Sequence, residues 1–262
     1  MTPEEIERES IKFKIEIIKI IKSYTTKCLQ ISNYRLYNAY TDEIINNLKE
    51  DHLTEALKSN FNEIESFKST REEMKNQSKS YTIINNDLVY KLHFQFFEEF
   101  LSEIVYFCLK TFPQFLYNVD QKNDLPYDRI FDNNSSIESI QDYVISSKVK
   151  NIIQSNNIID IILKIEKLFS IKFNISRETL DTLFISSANR NIMTHNNGIV
   201  NEVYLGLMKS RKIKTNLIKG NSIFQNLGQD LGRNNQETIA DIIVESFVRD
   251  SKRLIMHHNT LT

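Results

Sequence analysis

One stretch of this chain combines residue types that could move a proton and hold an anion at neutral pH. It reads Ala188-Asn189-Arg190-Asn191-Ile192-Met193-Thr194-His195-Asn196-Asn197-Gly198-Ile199-Val200-Asn201. An imidazole has an unperturbed pKa near ~6.5, so His195 can serve as general base or acid at neutral pH. A guanidinium is planar, always charged and donates through a fork that suits phosphate oxygens, which is the role open to Arg190. Asn191 sits one helical turn before His195 and could orient the imidazole or donate to the bound anion. Other chemistries lack their residues. The 5 His and 2 Cys form no HExxH, no CxxC and no Cys-His zinc spacing. No Gly-x-Ser-x-Gly elbow and no glycine cluster for a phosphate loop occurs. No metal ligands and no cofactor site are expected. His257-His258 reads as a solvated helix end. Arg253 and His258 repeat the Arg-to-His spacing, but Leu254 stands where the first copy has Asn191.

The element that must position these groups is a helix starting at Arg177. Ser176 is a good N-cap for it, and Asn197-Gly198 a good stop. At about 100° per residue, Leu180, Leu183, Phe184 and Ala188 define its apolar stripe. Ser187, Asn191 and His195 fall on the same stripe, so the buried face is expected to turn polar in its last two turns. Unpaired polar groups are costly to bury. That end is therefore either wet and frayed, or it lines a cleft or subunit interface built for an anion. Arg190 and His195, five apart, stand about 140° apart around the axis, a poor arrangement for cooperation within one subunit.

The rest of the chain says that the frame is helical. Its 262 residues hold only 5 Gly and 3 Pro, where average usage would give roughly 18 and 13. Turn-rich β-sandwiches and barrels are excluded. All five glycines lie beyond residue 197. The formal net charge of -1 argues against broad coating of nucleic acid. Cys28 and Cys108 read as buried thiols in a reducing, cytoplasmic setting. Charged residues break the Ile-rich segments, so no membrane span is expected, and Thr2-Pro3-Glu4-Glu5 reads as a helix start and not a signal peptide.

Helical periodicity predicts helices over 3–31, 42–75 and 87–112, the last with Leu88, Leu92, Phe96, Phe100, Ile104 and Cys108 stepping by four. The polar segment 76–86 reads as a loop, which divides the chain into 1–86 and 87–262. Residues 113–135 read as a polar connection. Ser136 can cap a helix over about 137–154, and another follows Asn157 and runs to about Ile171. A short helix is expected at 201–210 and a long one at 236–257. Alternation around Lys219-Gly220-Asn221 predicts a small β-hairpin near 212–226.

On the Arg190–Asn201 stretch the chain resembles the HEPN superfamily of small α-helical ribonucleases. That family's motif is Arg, then four to six residues of which the first is usually polar, then His. Arg190, Asn191 and His195 match it, and Gly198 and Asn201 fit the sequel. Helix 87–112 also looks like an early core helix of the family. The resemblance covers roughly 87–257. It implies an all-α HEPN-type bundle with catalytic Arg190, Asn191 and His195. It also implies an endoribonuclease that needs no metal and works by 2′-OH transesterification, leaving a 2′,3′-cyclic phosphate and a 5′-OH. DNA, without the 2′-OH, would not be cut this way. The family pairs two motifs across a homodimer, and many members are toxins or antiviral-defence effectors with an antitoxin or defence partner. Lys209, Arg211, Lys212 and Lys214, just downstream, could grip an RNA backbone. Asn197 stands where one subset carries a Tyr modified by its antitoxin, which puts that form of regulation in doubt. The rival expectation is a HEPN-like module that binds RNA, a nucleotide or a protein without cutting.

Overall fold

The first helix begins with a reciprocal cap. Thr2 Oγ1 accepts from the Glu5 amide at 3.2 Å, and the Thr2 amide donates to Glu5 Oε2 at 2.6 Å. Pro3 takes the first helical position, where no N–H is needed. The computed structural model describes residues 1–47, 64–118, 136–154, 157–223 and 233–259. They form α1 (Pro3–Asn47), α2 (Ile64–Thr111), a 3-10 turn (Pro113–Asn118), α3 (Ile137–Ile153), α4 (Ile158–Phe169), α5 (Arg177–His195), α6 (Glu202–Ser210) and α7 (Arg233–Asn259). The described residues are all-α. Their β-type pairing is limited to an isolated antiparallel bridge between Ile199 and Ser222. Among them, no helix is long and apolar enough to cross a membrane.

The chain divides into two compact units, Met1–Thr25 with Phe94–Thr262, and Thr26–His93. In the first, the core is largely aromatic. Tyr24 of α1 lies 5.0 Å from the Phe100 ring of α2, and Phe13 lies 5.2 Å from Phe112. The contacts continue from Phe115 to Phe169 at 5.3 Å and from Phe169 to Phe247 at 5.4 Å. Large rings bury much apolar area and pack edge to face or tilted, so this series ties α1, α2, α4 and α7 together. Ser10 and Ser251, both fully buried, share a hydrogen bond of 2.8 Å between α1 and α7. Cys108 is buried and in no disulfide here, and so is Cys28 in the second unit, where Ile31, Val89 and Tyr90 are also buried.

Helix α5 occupies a central position, packed against α4, α6 and α7. Its boundaries follow from local chemistry. Ser176 Oγ accepts from the Thr179 amide at 3.1 Å. At the other end the Asn196 and Gly198 amides both donate to the Ile192 carbonyl, at 2.8 and 3.1 Å. Asn197 (φ +50°) and Gly198 (φ +73°) then turn the chain through the left-handed region. Ser136, Asn157 and Asn201 cap α3, α4 and α6 in the same way.

Three expectations need correction. Residues 76–86 are not a loop but the middle of α2. The segment is polar yet holds no Gly or Pro, so nothing in it stops a helix. The first 25 residues belong to the compact unit that carries Arg190 and His195. The hairpin at 212–226 is also absent over its described part, 212–223. Lys219-Gly220 does form a tight turn, with Gly220 at φ +88° and the Asn221 amide bonded to Ile218 O at 3.0 Å. Its exit, however, pairs with the segment after α5. Val200 N donates to Asn221 O and Ile223 N to Gly198 O, each at 2.9 Å. Residues 48–63 and 119–135 of the expected helix and connection lie outside the described residues, as do the side chains of His257 and His258. The third correction concerns the faces of α5.

Candidate active site

The buried face of α5 does not turn polar at its end. Leu183, Phe184, Ser186, Ala188, Asn189, Ile192 and Met193 are buried, so apolar packing continues to the last turn. Ser187 and Asn191 are half-buried on the flank, and His195 is exposed. The reason is register: the stripe drawn from Leu180 drifts, because Ile192 and Met193 claim the core in the last turn.

Arg190 is braced rather than free. Its Nη2 stands 3.6 Å from Glu98 Oε2 of α2, with both side chains one-third exposed (33% each). Its Nη1 donates to Asn191 Oδ1 at 3.4 Å. Burial pushes the Glu98 carboxyl above its ordinary range, and the Arg190 charge opposes that shift. Asn191 therefore faces Arg190 and makes no hydrogen bond to His195. His195, the last residue of α5, makes no hydrogen bond or ion pair to any described residue. Its imidazole is exposed at a helix end where the Ile192 carbonyl accepts from both Asn196 and Gly198. Arg190 and His195 thus share one helix end on different sides of it.

The four downstream cations do not form one patch. Lys209 is exposed at the end of α6. Arg211 is half-buried, with its guanidinium 4.5 Å over the Phe184 ring and 3.8 Å from Asp181. Lys212, at φ +60°, joins it at a cleft that Arg177 also lines. Lys214 lies on a different cavity, between α5 and α6. Lys219 is paired with Glu202 at 3.0 Å. The second Arg-to-His pair has other duties: Arg253 donates to Ser170 O at 2.9 Å and to Asp250 at 3.1 Å, closing the end of α4.

Two participants escaped the sequence reading. Glu98 had a signal: it sits in Phe96-Phe97-Glu98-Glu99-Phe100, where a carboxylate amid core aromatics needs a cation nearby. Arg177 had none, since its cleft forms only when α6 returns beside the start of α5. Among the described residues, no group of three or more His, Cys, Asp or Glu could hold a metal ion. In comparisons with protein-family models, curated proteins and solved structures, nothing matches this chain.

Proposed function

We propose that this chain is a metal-independent endoribonuclease of HEPN type, acting as a homodimer in a toxin–antitoxin or antiviral-defence setting. In the reaction His195 takes the proton of a ribose 2′-OH. The 2′-oxygen attacks the adjacent phosphorus, and the bond to the 5′-oxygen breaks. That oxygen leaves with a proton as a 5′-OH, and the phosphate remains as a 2′,3′-cyclic diester. Arg190 neutralises the charge that builds on the phosphate oxygens, the usual work of a preorganised cation in phosphoryl chemistry. The observation that carries this reading is the pairing of a braced Arg190 with an exposed, uncommitted His195 at the end of one helix. Their separation of about 140° around the axis favours a composite site, in which a second copy supplies the facing groups.

A second reading, an RNA- or nucleotide-binding module without cleavage, draws on one observation. Arg190 is held by Glu98, and His195 has no acceptor to set its tautomer. An oligoribonucleotide with one 2′-deoxy residue at the cleaved position separates the two. An endoribonuclease of this kind cuts the all-ribose strand and leaves the substituted linkage intact. A binding module retains both strands uncut.

A further inference from the structure

One residue before Arg190, α5 contributes to a different site. A cavity of about 360 Å³ opens between α5, α6 and residues 213–217. Ligand pockets begin at about this size. Much of its wall is aliphatic, from Ile185, Met208, Ile213 and Leu217. The polar groups come from two sources. The helices supply the carboxamide of Asn189 and the hydroxyl of Tyr204, while Lys214, Thr215 and Asn216 supply the rest.

Asn189 is only 9% exposed and Tyr204 3%. Tyr204 Oη donates to Asn189 Oδ1 at 2.9 Å. This bond fixes the carboxamide with its oxygen engaged. Nδ2 carries two N–H groups, and no described residue accepts from them. Asn189 is among the residues that line the cavity, where a ligand can meet these donors. A ligand that displaces water from the cavity must supply an acceptor here, because a donor left unmet on binding is costly. A fatty chain with its carboxylate at Lys214 would fill the aliphatic wall but leave Asn189 unmet. A flat ring with a carbonyl in its plane meets both.

We infer that this cavity binds a nucleobase bearing a ring carbonyl, with Asn189 Nδ2 donating to that oxygen and Lys214 receiving a phosphate of the same nucleotide. Because Oδ1 is engaged by Tyr204, the two-pronged contact that an Asn makes with adenine is disfavoured. The base preference therefore runs to uracil, cytosine or guanine over adenine. The inference rests on the ribonuclease reading only in making this base part of an RNA substrate.

The test is calorimetric titration of the full chain carrying His195→Ala with the four nucleoside 5′-monophosphates. At least one of the uridine, cytidine and guanosine nucleotides binds, and about tenfold tighter than the adenosine nucleotide. Asn189→Asp keeps the acceptor for Tyr204 and removes the donor, and it weakens binding about tenfold or more. Lys214→Ala weakens binding of the nucleotide but not of the nucleoside. Leu217→Trp fills the cavity and abolishes binding, which decides the matter if the aspartate variant fails to fold. No binding of any of the four by a folded protein overturns the inference. So does unchanged binding by folded Asn189→Asp or Leu217→Trp, or a preference for the adenosine nucleotide. His195-dependent RNA cleavage without nucleotide binding removes the base site and leaves the ribonuclease. Nucleotide binding without any cleavage does the reverse.

Discussion

The Arg190 guanidinium of α5 stands 3.6 Å from the Glu98 carboxylate of α2, so the cation proposed for phosphate is positioned by an acid almost a hundred residues away. Glu98 is the more constrained partner. Burial raises its pKa, and Arg190 opposes the rise.

The sign of the pH effect follows. An acid whose folded pKa lies above its unfolded value holds more protons when folded, so stability falls as pH rises through that window, upward from the ordinary carboxylate range. Arg190→Ala removes the opposing charge and extends the window upward. It is expected to lower stability at pH 7.5 by about 1 kcal/mol, a modest figure because both side chains are one-third exposed and screened. The deficit shrinks as pH falls toward the carboxylate range, and Glu98→Gln added to Arg190→Ala restores most of it. Thermal melts across pH check this. A deficit independent of pH contradicts it.

Gly198 is buried, has φ +73°, and its carbonyl accepts from Ile223. Gly198→Ala forces a Cβ into the left-handed region, at a cost of about 1–2 kcal/mol. Most of the fold is retained, while RNA cleavage falls because the stop beside His195 shifts. Circular dichroism with an activity assay tests it, and normal activity shows that this helix stop is dispensable.

Lys148 of α3 is 1% exposed, and its Nζ has no hydrogen-bond partner among the described residues. Burial pushes its ammonium below the ordinary lysine range. A lysine so shifted binds fewer protons when folded, so stability rises with pH up to the unfolded value. Lys148→Met keeps the volume, removes the unmet donors and is expected to raise stability by about 1–3 kcal/mol. Denaturant titration reads this directly, and a destabilised variant would show that the amine is satisfied in solution.

A composite site makes activity depend on concentration. Specific activity is expected to fall on dilution, in step with the dimer-to-monomer transition seen by light scattering. A monomeric variant with full activity contradicts the dimer.

What the sequence makes legible is local. Ser136 and Ser176 announce their helices because a cap needs only a side-chain oxygen two or three residues from an amide, and Asn157 and Asn201 cap theirs in the same way. The end of α5 is equally readable from Asn197-Gly198. What fails depends on distant partners. Residues 76–86 continue α2 because polar composition alone does not break a helix. The alternation near 213–217 suggests a hairpin, yet residues 220–223 pair with 198–200 instead. The buried side of α5 is set by its neighbours α4, α6 and α7, which place Asn189 and Ile192 inside and leave His195 out. Glu98 of α2 meets Arg190 only through tertiary packing, so the Arg190–His195 spacing was visible and its bracing was not.

The central claim is a proton transfer by His195 to and from RNA without a metal. Incubating RNA in excess EDTA with wild type and with His195→Ala tests it most directly, with the product ends identified by mass. The account predicts 2′,3′-cyclic phosphate and 5′-OH ends from the wild type and their loss in the variant. Cleavage by His195→Ala at the wild-type rate, or an absolute requirement for Mg²⁺, would contradict it.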